Sequence, residues 1–170
     1  IDEIIVVTNS KFISRFRKWR LGVQSRKPIA LVDDLTKSQV TRRGAIGDLD
    51  FAINKKRIKD DLLVVGGDNL FDGALDKLLR FAKSSATSPV IGVYNIKDIR
   101  QAKKYGVVKL DKLGRVADFK EKPKIPKSTL VAMCLYYFPK DKLGLVREYM
   151  KDKKKKSDAT GLYIDWLRKR

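Results

Sequence analysis

Seven short apolar runs, mostly rich in β-branched residues, recur at positions 4–7, 29–32, 62–65, 90–94, 105–110, 116–120 and 130–138. Segments of helical period separate several of them, and that alternation predicts an α/β fold with a mainly parallel sheet and crossover helices. In "FISRFRKW", Phe12, Phe16 and Trp19 share one helix face, and Leu75, Leu78, Leu79 and Ala82 do so within 74–82. Both stripes are expected to be core contacts. "VVKLDKLGRVADF" differs, because two alternating runs flank a turn-type stretch at 111–114. It reads as an antiparallel hairpin, so the sheet is expected to be mixed. A last amphipathic helix is expected from near Asp158, carrying Leu162, Ile164, Trp166 and Leu167. With 170 residues, 43% of them hydrophobic, and no shift in composition, residues 1–170 are expected to form a single domain.

Charge narrows the partners. The 39 Lys and Arg against 20 Asp and Glu leave a formal charge of +19, which favours an anionic partner without saying which. The lysine run 153–156 reads as a solvated loop or an anion clamp. Histidine is absent, so the usual general base and the commonest zinc ligand are missing. Cys134 is the only cysteine, which excludes an internal disulfide and points to a reducing compartment. Its place inside "LVAMCLYYF" reads as core. No apolar stretch is long enough for a membrane helix and no secretory leader is visible, so a cytoplasmic location is expected. The opening "IDEIIVVTNS" goes straight into a strand, as from the middle of a domain.

Three stretches carry residue types suited to chemistry. "LLVVGGDN" places Gly66, Gly67, Asp68 and Asn69 at a strand end, where open α/β sheets bind ligands. Small residues there admit a ligand, and a carboxylate binds Mg²⁺, although Asp68 equally suits the cap of a following helix. "YGVVKLDKLGRVADFKEKPKIPKS" stiffens a segment with Pro123 and Pro126 and gathers Lys120, Lys122, Lys124 and Lys127 around Glu121. This is a phosphate-binding pattern or a soluble loop. "VDDLTKSQVTRRGAIGDLDFAI" sets Gly44 and Gly47 at an expected helix start behind Arg42 and Arg43, suited to an anion, to a planar base, or to structure alone.

Together and in this order, "IDEIIVVTN", "RRGAIGDLDFAI", "LLVVGGDNLF" and "YGVVKLDKLGRVADFKEKPKIPKS" followed by "LVAMCLYYF" resemble the sugar-1-phosphate nucleotidyltransferases. That family includes glucose-1-phosphate thymidylyltransferase and its uridylyl and guanylyl relatives. The resemblance covers nearly the whole chain. It implies a Rossmann-like, three-layer (GT-A-like) nucleotidyltransferase fold with a mixed, mainly parallel sheet. It also implies a Mg²⁺-dependent enzyme of nucleotide-sugar biosynthesis that joins a nucleoside triphosphate to a sugar 1-phosphate and releases pyrophosphate.

Position by position, the resemblance makes Asp68 a catalytic residue and the Mg²⁺ ligand, with Asn69 beside it. Gly44 and Gly67, with Asp68, would bind the nucleotide. Gly106, Glu121 and Lys122 would bind the sugar phosphate, Lys122 also neutralising charge in catalysis, and Asp158 matches an acidic position of the late helix. The sugar phosphate is already an anion, so the mechanism needs no histidine.

The resemblance also implies what this stretch lacks: the family's first strand, its glycine-rich G-G-x-G-T-R-L loop and a second metal aspartate. An incomplete chain is the expected account; a split protein completed by another chain and a non-catalytic homologue are the alternatives. A homo-oligomer or a complementing chain is therefore an expected partner. A basic module binding nucleotide, nucleic acid or a partner subunit is the rival function. Nucleic acid is disfavoured because the cations are spread along the chain.

Overall fold

A computed structural model describes residues 1–70, 75–85, 87–152 and 160–170. They form two compact units, 1–58 and 59–170.

In the first unit, β1 (Ile4–Thr8) and β2 (Ile29–Asp33) pair in parallel, from Ile4↔Ile29 to Thr8↔Asp33, joined through α1 (Ile13–Gly22). This is the crossover that parallel pairing requires. Ile13 and Val32 are buried, but Trp19 is 46% exposed and packs edge-on against Phe16 instead of entering the core. Helix α2 (Ala45–Lys56) buries Ile46 and Ala52. At the carboxyl end of β2, Asp33 accepts hydrogen bonds from the Ser10 hydroxyl and the Leu35 N–H, both at 2.8 Å. Buried Asp34 accepts from the Thr36 N–H and hydroxyl.

The second unit contains β3 (Leu62–Val65), α3 (Asp76–Ser84), β4 (Val90–Asn95), α4 (Ile99–Ala102), β5 (Gly106–Leu110), β6 (Val116–Glu121), β7 (Leu130–Phe138), α5 (Gly144–Lys151) and α6 (Thr160–Leu167). The expected mainly parallel sheet is not what forms here. Among the described residues every pairing of this sheet is antiparallel, and only β1–β2 is parallel. The cause is β7. Strands β3, β4 and β5 run in one direction, but each pairs with the reversed β7 instead of with one another.

β4 follows one edge of β7, from Tyr137 to Leu130. The other edge is shared: β3 takes residues 135–138 and β5 meets it at Val131. Alternation along β7 then separates two faces. Tyr137 packs with Ala82, Val90, Leu63, Leu78 and Leu79 on the α3 side, and Val131 with Ala102 and Val107 on the α4 side. This is the core role expected of the leucine stripe. On the opposite face Phe138 meets Tyr163 of α6 at 6.1 Å, and Tyr149 of α5 meets Tyr163 at 4.9 Å and Trp166 at 5.5 Å.

The predicted hairpin joins β5 to β6. Asp111 closes it by accepting from the N–H groups of Leu113 and Arg115, both at 2.9 Å, while Gly114 takes the left-handed φ of 76°. Helix α6 is described from Thr160, so the expected start near Asp158 and the lysine run 153–156 lie outside the described residues.

At the foot of β3, the Tyr137 hydroxyl donates to Asp61 Oδ2 at 2.6 Å and the Lys140 N–H donates to Oδ1 at 3.0 Å. The tyrosine bond holds the Asp61 carboxyl below its ordinary value, and the same bond, helped by burial, pushes the Tyr137 phenol up to about 12. The contribution is therefore fully present between the unfolded carboxylate and phenol values, about 3.9 and 10. It is lost as pH falls through the lowered Asp61 pKa and as it rises from about 10 towards the raised Tyr137 value. Tyr137→Phe is expected to cost about 1 kcal/mol near neutrality, a small value because Asp61 is exposed. In urea melts the difference from the wild type should shrink above roughly pH 10.

Candidate active site

Past Val65, Gly66 stays hydrogen-bonded to β7, its N–H donating to the Cys134 carbonyl at 2.7 Å. The chain then turns. The Asn69 N–H donates back to the Gly66 carbonyl at 3.1 Å, and Asn69 Nδ2 reaches Asp68 Oδ1 at 3.2 Å. A Cβ on Gly66 would lie 2.6 Å from Asn69 Nδ2 and 2.9 Å from both Cβ and Sγ of Cys134, so the turn needs a glycine there. Gly67 faces open space and Asp68 is exposed. Asp68 is not the cap of the next helix, because α3 begins at Asp76 with Leu75 in the cap position.

Along the same edge of β7, β5 begins at Gly106, paired with Glu121 of β6. A Cβ on Gly106 would meet Phe119 Cζ and lie 3.2 Å from Glu121 Oε2. Lys122 follows with a left-handed φ of 42°, its N–H donating to the Tyr105 carbonyl at 3.1 Å and its side chain exposed. The β7 residues between the two strands, 132–134, therefore have the Gly66–Asn69 turn at one end and the Gly106–Glu121 pair at the other.

Cys134, within this stretch, and Tyr136, paired with Val64 of β3, point to one face of β7. Cys134, read from sequence as core, is only partly buried and touches Gly66. Burial pushes its thiol up, and the charge of Asp68 adds to the rise. Two positions on, burial pushes the Tyr136 phenol up; a hydrogen bond with the Thr160 side chain opposes this, and the charge of Glu121 adds to it. Asp68, Cys134, Tyr136, Thr160 and Glu121 thus belong to one electrostatic neighbourhood. Alternation in "MCLYY" signals that Cys134 and Tyr136 share a face. Only the packed structure shows that α6 covers it.

Gly44, in the first unit, is buried at the N-cap of α2 with a φ of 75°, and its carbonyl accepts from the Asp48 N–H at 2.8 Å. The helix start read from "RRGAIGDLD" is thus present. Arg43 is held within its own unit, Nε donating to the Asp34 carbonyl at 2.8 Å and the guanidinium lying 4.2 Å from the Phe51 ring centroid. Asp158 lies outside the described residues.

Among the described residues no group of three or more His, Cys, Asp or Glu side chains is placed to hold a metal. Asp68, its Oδ1 bonded by Asn69 Nδ2 and with space at Gly67, offers hard carboxylate oxygens. That donor set suits a hard cation carried mainly by phosphate oxygens and water rather than a closed protein cage. No helix among the described residues is long and apolar enough to cross a membrane.

The family model described as nucleotidyl transferase matches residues 1–166, through both compact units. Glucose-1-phosphate adenylyltransferase of Ruminiclostridium cellulolyticum is 33% identical over 89 residues, 52% of this chain and 20% of that enzyme. The enzyme of the same name from Mycoplasma mobile is 32% identical over 91 residues, 54% of this chain and 24% of its own. The bifunctional protein GlmU of Methanocaldococcus jannaschii is 29% identical over 94 residues, 55% of this chain and 21% of its own. These matches span 20–24% of the relatives' lengths. With its family pattern running through nearly every residue, the chain belongs to the nucleotidyl transferase family.

Proposed function

We propose that residues 1–170 are part of a single sugar-1-phosphate nucleotidyltransferase domain. It transfers a nucleoside monophosphate from a nucleoside triphosphate to a sugar 1-phosphate and releases pyrophosphate. The observation that carries this reading is the match of the family pattern over residues 1–166, which includes both the Gly66–Asn69 turn and the Gly106–Glu121 pair.

In this reading an oxygen of the sugar 1-phosphate attacks the α-phosphorus in line and pyrophosphate leaves. The nucleophile arrives as an anion, so the absence of histidine removes nothing from the chemistry. Glu121, an acceptor-only carboxylate, takes hydrogen bonds from sugar hydroxyls beside the Gly106 backbone. Lys122 neutralises phosphate charge, and Gly44 lets the nucleobase lie against the main chain at the start of α2. Asp68 and Asn69 would hold Mg²⁺, which when bound supplies charge neutralisation to the triphosphate.

The test is pyrophosphate release by the intact protein with a panel of nucleoside triphosphates and sugar 1-phosphates. ATP with glucose 1-phosphate is the first pair, because two relatives are named glucose-1-phosphate adenylyltransferase. Mg²⁺-dependent turnover with one pair is expected. Release at background for every pair would overturn the reading.

A further inference from the structure

The Glu121 carboxylate lies in a slot between glycines of two different elements. On one side is Gly106 of β5, where a Cβ would stand 3.2 Å from Glu121 Oε2. On the other is buried Gly161, the second residue of α6, where a Cβ would meet the same oxygen and lie 2.8 and 2.9 Å from Cε1 and Cζ of Phe119. Among the described residues the carboxylate makes no hydrogen bond or ion pair, although Glu121 is exposed. Among the described residues its position is therefore set by shape, and none of them uses its acceptor capacity.

Alanine is a better helix former than glycine, so helix propensity alone argues against Gly161 in α6. The helix has little freedom to move aside. Its Tyr163 ring lies 6.1 Å from Phe138 of β7, and just beyond its end Arg168 Nη1 donates to the Ala117 carbonyl of β6 at 3.3 Å. Phe119, also in the way, is 3% exposed and fixed in the core. Of these neighbours the exposed end of Glu121 yields most readily to an added methyl.

We infer that Gly161 is a positioning residue for sugar recognition, holding open the slot that keeps the Glu121 carboxylate aimed at the substrate. The inference rests on Glu121 as a sugar ligand, and it assigns α6 to the sugar side of the site. A Cβ at position 161 drives the carboxylate out of the slot, and because it also lies 2.8 and 2.9 Å from two Phe119 ring atoms it costs stability as well. A purely structural glycine would show the loss of stability and leave sugar affinity alone.

Two measurements on Gly161→Ala decide it. In carbon-13 spectra of protein labelled at glutamate side-chain carboxyls, the Glu121 resonance, assigned by its loss in Glu121→Gln, is expected to shift. An unmoved resonance overturns the slot whatever the substrate proves to be. In steady-state kinetics, KM for the sugar 1-phosphate is expected to rise about tenfold, with kcat and the nucleotide KM within about threefold. Unchanged sugar KM overturns the role in recognition. Wild-type protein without turnover overturns the proposed function instead, and the resonance still decides the slot. If Gly161→Ala is recovered unfolded, Phe119→Leu/Gly161→Ala removes the ring atoms in the way. Against Phe119→Leu alone, the same shift and the same rise in KM are expected, and their absence overturns the inference.

Discussion

Asp68→Asn is expected to reduce kcat/KM for pyrophosphate release by about 100- to 1,000-fold, the loss typical when a charge-stabilising group leaves a reacting centre. The substitution keeps the shape and an acceptor oxygen for Asn69 Nδ2, now 3.2 Å from Oδ1, and removes only the negative charge. Because Asp68 is exposed at a turn, the melting temperature should stay within about 2 °C of the wild type. The Mg²⁺ concentration giving half-maximal rate should rise, since the cation would lose its carboxylate ligand. Wild-type kinetics with an unchanged Mg²⁺ requirement would remove Asp68 from the metal site. The comparison is best made beside Gly67→Ala, where open space leaves the packing undisturbed and any loss reports crowding of the ligand.

The largest effect on stability is expected at Phe138. Its ring is 1% exposed at the end of β7, with ring centroids 6.3 Å from Tyr136 and 6.1 Å from Tyr163. Phe138→Ala removes a buried ring that α6 packs against, at a cost of about 3–5 kcal/mol. Urea or thermal unfolding measures it. A cost below about 1 kcal/mol would mean that the aromatic layer of α5 and α6 is not the core of this unit. The substitution also tests the site indirectly, because α6 carries Thr160 and Gly161. Limited proteolysis should find α6 cut faster in the variant than in the wild type.

The strands were legible because each short β-branched run is bounded by polar or turn residues, and all seven were read to within one residue at each end. The hairpin was legible because Asp111 and Gly114 close it through local hydrogen bonds and a single left-handed residue. Sheet direction was not. Hydrophobic alternation marks a strand without saying which way its neighbour runs, and the reversed β7 turns what reads as a parallel sheet into one paired antiparallel throughout its described extent. Trp19 shows another limit: a helical stripe predicts one shared face, but what lies against that face is decided elsewhere in the chain.

The candidate site divides along the same line. Gly66, Gly67, Asp68 and Asn69 stood out from the sequence because small residues and a carboxylate follow a strand end, and Glu121 and Lys122 because charged residues gather beside prolines; Gly106 entered only through the family resemblance. Cys134, Tyr136, Thr160 and Gly161 did not stand out. Gly161 and Cys134 join it through contacts across 40 and more positions, Gly161 against Glu121 and Gly66 against Cys134. Local preference ties a residue to its neighbours in sequence, and it determined the elements of this protein and the loops that carry the candidate residues. Which residues face one another across those elements follows from how β7 is inserted and how α6 packs, and only the tertiary structure decided that.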